Sequence, residues 1–148
     1  MKVLSTNIAN SSDCINFKSQ IHRTNTIGIG INTAIKLGDK GFFNALKHLA
    51  NDGLKRDIII GGTNSTGSKL VSALTILKAG NVEYSLKTSQ KREHGVDGFH
   101  LMGKNVIELI KKLAIDTGNI SQEILNETAT KDVLVKECNE MYRIIFIG

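Results

Sequence analysis

The chain has 148 residues, a formal net charge of +5, 41% hydrophobic and 22% charged residues, and a sequence pI near 9.3. That length builds one substantial core and not two, and no apolar run approaches membrane-spanning length. The basic balance favours polyanions, while zero proline and 5% aromatic residues argue against an edge-rich all-β sandwich and against surfaces that grip single strands by base stacking.

Residues 1–25 are polar and weakly patterned. Met1-Lys2-Val3-Leu4 leads into polar residues too soon for a secretory signal, so the expected compartment is cytoplasmic or nuclear. Cys14 and Cys138 lie far apart with no CxxC pair and no histidine at zinc-finger spacing, which predicts two reduced thiols, no structural metal and no cofactor. Ile15, Phe17 and Ile21 suit a short edge strand guarded by Lys18, His22 and Arg23. In Thr26 to Ile31, TIGIGI, isoleucine and glycine alternate, which predicts a strand whose glycine face lets a second backbone or a ligand come close. Gly41 to Asn51 reads as a helix, with Phe42, Ala45, Leu46 and Leu49 on one stripe and Asp52-Gly53 closing it.

Asp57 to Gly80 reads as a strand, a glycine turn and an amphipathic helix. Ile58 to Ile60 form a β-branched run, Gly61 and Gly62 stop it, and Leu70, Ala73, Leu74 and Leu77 recur at helical spacing up to Gly80. Such a turn aims unbonded backbone N–H groups at a helix mouth, where anions are favoured. Asn64, Ser65, Thr66, Ser68 and Lys69 are therefore phosphate-binding candidates, although Asn64, Ser65 or Thr66 would equally serve as an ordinary helix cap. Gly62 and Gly67 have P-loop separation. Ser68-Lys69, however, reverses the Lys-Ser order that nucleotide hydrolysis needs.

Asn81 to Ser89 predicts a half-buried strand, followed by a basic loop, QKREHGVDG, in which Lys91 and Arg92 would follow phosphates. FHLMG then runs into a helix ending at Gly118. Met102 to Asn105 predicts a second strand-to-helix turn, with Gly103 and Lys104 at the helix mouth. Residues 119–137 fit either a helix or a hairpin around Thr130-Lys131, and Tyr142 to Ile147, YRIIFI, predicts a terminal strand.

From Lys55 the predicted order is therefore βαβαββ. With SKLVSALTILKAGNVEYSLK followed by HLMGKNVIELIKKLA, it resembles the Alba superfamily of DNA- and RNA-binding proteins over residues 55–148. The expected fold is α/β, an α+β two-layer sandwich with a mixed sheet of about four to six strands and about two to four helices. It would form a single domain, 1–148, in which residues 1–54 add a strand and a helix to the Alba-like core.

The resemblance implies a dimeric binder of RNA or DNA that holds the phosphate backbone without sequence preference and carries no catalytic residue. The family's basic turn falls on Asn64 to Lys69, its glycine turn on Met102 to Asn105, and its basic hairpin arm near Lys131 and Lys136. Two other readings stay open. GTNSTGSKL followed by GVDG resembles the phosphate loop and acidic turn of methylglyoxal synthase-like domains, implying an enzyme or sensor. In it Ser65, Thr66 and Gly67 would hold phosphate and Asp97 would abstract a proton beside His94 or His100. The third reading is an assembly domain whose edge strands are interfaces.

Overall fold

The structure, a computed structural model, describes residues 18–148. Strands β1 (Gln20–His22), β2 (Asp57–Thr66), β3 (Leu70–Ala79), β4 (Val82–Lys91) and β5 (Phe146–Ile147) form one sheet in the order β4-β3-β2-β1-β5. The sheet is mixed. β2, β3 and β4 make an antiparallel meander, and β1 runs parallel to both β2 and β5. Helices α1 (Asn25–Leu37), α2 (Lys40–Ala50), α3 (Gly98–Thr117), α4 (Gln122–Leu125) and α5 (Lys131–Ile144) make the second layer. The fold is thus an α+β two-layer sandwich, and its core joins Ile21, Ile31 and Phe42 to Ile58, Leu77, Ile110, Leu134 and Phe146 in one cluster.

The central stretch is a β-hairpin, not strand, turn and helix. β2 runs through both glycines to Thr66, and the apolar residues after Lys69 alternate: Val71, Ala73, Thr75, Leu77 and Ala79 are buried while Leu70 and Leu74 are exposed. The same letters fit a 3.6 period and a 2 period, and strand partners on both sides decide for the second. Gly62 does not stop the strand. It lets β3 pair closely, since a Cβ there would run into the Leu74 carbonyl oxygen. Gly80 ends a strand instead of a helix, because Ala79 pairs with Val82 across a Gly80-Asn81 turn in which Gly80 takes φ 63°.

TIGIGI lies inside α1, where Ile27, Ile31 and Ala34 share the buried stripe and the Thr24 side chain caps the start. The glycines do admit a close neighbour, but that neighbour is a helix. α1 crosses α3 antiparallel, and a Cβ on Gly30 would collide with Val106 while one on Gly103 would collide with the Thr33 hydroxyl. Met102 to Asn105 is consequently not a turn. The stripe of Val106, Leu109, Ile110 and Leu113 extends back through Leu101 and Met102, and Asp97 caps the helix just before Gly98.

α2 and β4 lie where the sequence predicts them, and α3 stops at Gly118. Residues 119–137 are helical at 122–125 and from Lys131 onward. Leu134, Cys138 and Met141 continue a buried helical stripe through Tyr142, so only Phe146 and Ile147 of YRIIFI are strand. Ile21 is in a strand flanked on both sides, whereas Ile15, Phe17 and Cys14 fall outside the described residues. From Asp57 the order is therefore βββαααβ, in place of the expected βαβαββ, and the described residues hold five helices against the two to four expected.

The crossing supplies a contrast between two glycines. Gly103→Ala should lower stability by about 1–3 kcal/mol through overpacking. Gly28→Ala, where a Cβ would meet nothing within 4 Å, should raise it by about 0.5–1 kcal/mol. Denaturant midpoints at equal slope read both.

Candidate functional site

Most of the sequence-predicted residues meet at one end of the sheet. Asn64, Ser65 and Thr66 end β2, Ser68 and Lys69 form the turn, and Lys91 ends β4 directly across from Leu70. The Arg92 N–H donates to the Lys69 carbonyl at 2.9 Å and its guanidinium donates to the Gly67 carbonyl at 3.1 Å, so Arg92 holds the hairpin tip. The start of α3 seats on the same end of β2. The Gly98 N–H donates to Thr66 Oγ1 at 2.6 Å, and Asn64 lies 3.9 Å from the Met102 sulfur.

Lys104 is exposed in the second turn of α3, close enough to His100 to act on its protonation. Gly103 is buried beneath α1 and presents nothing to a ligand, which removes it from the predicted site. Lys131 opens α5 and lines a groove with Lys36, at the C-terminal end of α1. Lys36 was not singled out in the sequence because TIGIGI read as a strand, and a basic residue in the last turn of an α1 helix was then not visible.

Carboxylates are distributed unevenly among these cations. Elsewhere Lys40 pairs with Glu127 at 3.4 Å, Lys47 with Glu137 at 2.5 Å, Arg56 with Asp52 at 3.1 Å, Lys78 with Glu83 at 3.9 Å and Lys111 with Asp39 at 3.0 Å. Among the described residues none of Lys36, Lys69, Lys91, Arg92, Lys104 and Lys131 has a carboxylate within ion-pair distance, and all six are exposed. In sequence Asp132 adjoins Lys131, Glu93 adjoins Arg92 and Asp39 lies three residues from Lys36, and Asp39 is bonded to Lys111. Asp97 is already engaged, since its Oδ1 accepts the His100 N–H at 2.9 Å.

This arrangement replaces the two helix mouths expected from the sequence. Ser68-Lys69 sits in a hairpin turn and Gly103-Lys104 in mid-helix, so neither has unbonded N–H groups of a helix start. The start of α3, beside the tip, is capped by Asp97 and Thr66, whereas the start of α5 at Lys131 has no side-chain cap among the described residues. The Ser65 and Ser72 hydroxyls bond each other at 2.8 Å. The groups that a phosphate loop and a general base would use are thus bonded within the fold.

Beneath the site lies a closed polar network. Thr88 Oγ1 donates to Asn105 Oδ1 at 3.1 Å, and Asn105 Nδ2 donates to Thr75 Oγ1 at 3.4 Å and to the Leu86 carbonyl at 3.3 Å. Asn105 is 2% exposed and every one of these groups has a partner, so the network fixes α3 on the sheet instead of offering itself to a ligand.

Among the described residues, no three His, Cys, Asp or Glu side chains cluster to hold a metal ion, and no helix is long and apolar enough to cross a membrane. Compared with protein-family models, with curated proteins and with solved structures, the chain matches none.

His100 reports on the local field. Its partial burial, then Lys36 and Lys104, push its pKa below the ordinary value, and Asp97 only partly opposes them. The folded chain therefore holds this proton less tightly than the unfolded chain. The resulting stability is complete above the unfolded pKa of about 6.5 and is lost as pH falls through the lower folded value. Between about pH 7 and about pH 5 the wild-type unfolding midpoint should fall more than that of His100→Gln, and parallel curves would refute the assignment.

Proposed function

We propose that the chain binds nucleic acid, RNA or DNA, through this basic end, holding the phosphate backbone with little sequence preference. The carrying observation, among the described residues, is that six exposed cations from α1, the hairpin tip, β4, α3 and α5 lie toward one end of the fold without carboxylate partners, while Lys40, Lys47 and Lys111 of the helix layer are paired and Lys112 and Lys136 are not. Each such cation near a phosphate displaces a condensed counterion, so affinity comes from salt release. Lysine is a point charge on a flexible stem and reads no base edge. The reading carries with it a cytoplasmic or nuclear location, and a dimer would present two such ends to one polymer and raise affinity by linkage.

A second reading, an assembly domain, has its own observation. The sheet face away from the helices carries Ile59, Leu70 and Leu74 at 45%, 59% and 38% exposure, each directly across from a lysine: Lys78, Lys91 and Lys87 in turn. A second copy packed there would make the chain's apparent mass depend on concentration, with no need of a polymer.

Binding of mixed-sequence RNA and duplex DNA, followed by anisotropy across a salt series, separates the two. Log affinity should fall linearly with log salt, and Lys36→Ala, Lys69→Ala, Lys104→Ala and Lys131→Ala should each shallow the slope by about 0.7–0.9. Lys78→Ala, which removes an ion-paired cation at the other end of the sheet, should leave it unchanged. Arg92 is a poor probe because its guanidinium also holds the tip. Salt-independent binding, or an equal effect of Lys78→Ala, would sink the proposal.

A further inference from the structure

We propose that the groove between the end of α1 and the first turn of α3 is a stacking subsite for one base of a single-stranded nucleic acid, with Phe99 as the platform. The inference rests on the nucleic-acid reading above and adds to it a preference for unpaired strands.

The first observation is the position of Phe99. It is 57% exposed, and it stands alone among the described aromatic side chains. Phe42 and Phe43 are buried edge to face at 5.2 Å. Phe146 packs against Tyr142, which also carries the Arg23 guanidinium over its ring, and Tyr84 lies beneath the Lys112 ammonium and bonds Asp116. Phe99 has no such partner.

The second observation is what surrounds it. Phe99 lines a groove of about 430 Å³ with Ile29, Asn32, Lys36, Asp97 and His100. That volume is within the usual span of small-molecule sites, about 300–1,000 Å³. Ile29 adds an apolar wall, and Asn32 offers an amide that can donate to or accept from a base edge. Lys36 is in the groove and Lys104 is one turn along α3 from His100, so a phosphate on either side of a stacked base finds a cation. Two backbone N–H groups of the helix start, those of Gly98 and His100, are already bonded to Thr66 and Asp97.

The chemistry then selects the polymer. A duplex hides both faces of every base, whereas an unpaired strand can swing one out onto an aromatic ring. Low aromatic content argues against a broad stacking surface, but a single subsite needs a single ring. The cations around it supply the rest of the affinity.

The test uses the full chain and three probes: a short oligothymidylate, the same oligomer with abasic sites in place of its bases, and a duplex. Phe99→Ala should weaken oligothymidylate binding by about 5- to 150-fold and leave the abasic strand, the duplex and the salt slope unchanged. The chain has no tryptophan, so Phe99→Trp supplies a lone fluorophore whose emission oligothymidylate should quench and the abasic strand should not. Equal loss for all three probes, no loss for any, or unquenched Phe99→Trp at saturating oligothymidylate would overturn the subsite while leaving the salt-dependent reading intact. If wild type binds none of the probes in a salt-dependent way, both fall.

Discussion

The contact on which the arrangement depends is the seating of α3 between the sheet and α1. On one side Asn105 closes a buried network with Thr75, Thr88 and the Leu86 carbonyl. On the other, Gly103 and Gly30 let two helix backbones approach until a single extra methyl would collide. A buried amide left without a partner costs about 1–3 kcal/mol, so sliding α3 along the sheet breaks several bonds together. Because α3 is held on both sides, the positions of Phe99, His100 and Lys104 relative to Lys36 follow without any contact of their own.

That division of labour explains how a fold tolerates six uncompensated cations in one region. The ion pairs that knit α2 to its neighbours, Lys40 and Lys47 with Glu137 and Lys111 with Asp39, lie in the helix layer, away from the hairpin tip. Exposed like charges repel weakly through water and are screened within about 8–10 Å at ordinary ionic strength. The tip is held by the Arg92 N–H on the Lys69 carbonyl, the Arg92 guanidinium on the Gly67 carbonyl and the Gly98 N–H on Thr66, so of its cations Lys69 and Lys91 are not needed to close it. They remain available for an outside anion.

How much of this was legible depended on whether a segment's letters fit one period or two. Phe42, Ala45, Leu46 and Leu49 fit only a helix, and Val82 to Ser89 fit only a strand, and both formed as read. Leu70 to Ala79 fit both, and the choice lay with β2 and β4, partners distant enough that a local window does not weigh them. TIGIGI and FHLMG failed for a related reason: glycine was taken as punctuation where it was making room for a helix crossing. The charges were legible even so, since Lys69, Lys91, Arg92, Lys104 and Lys131 are basic whatever element carries them. Lys36 and Phe99 were not, because their significance is purely one of neighbourhood.

Replacing helix mouths by side chains on a hairpin and helix flanks changes the kind of recognition the molecule can perform. A mouth of backbone N–H groups is rigid, converges on one anion and rewards a discrete phosphate of fixed geometry. Six ammonium and guanidinium groups on separate elements converge on no single point, and their long stems adjust to whatever spacing of charge is offered. A lone phosphate meets one or two of them at a time and gains little over water. A polymer with a phosphate at every repeat meets several at once, and the ordering entropy of the first contact does not have to be met again in full for the second. On the reading proposed above, an extended polyanion fits this spacing of charge better than a phosphorylated metabolite does.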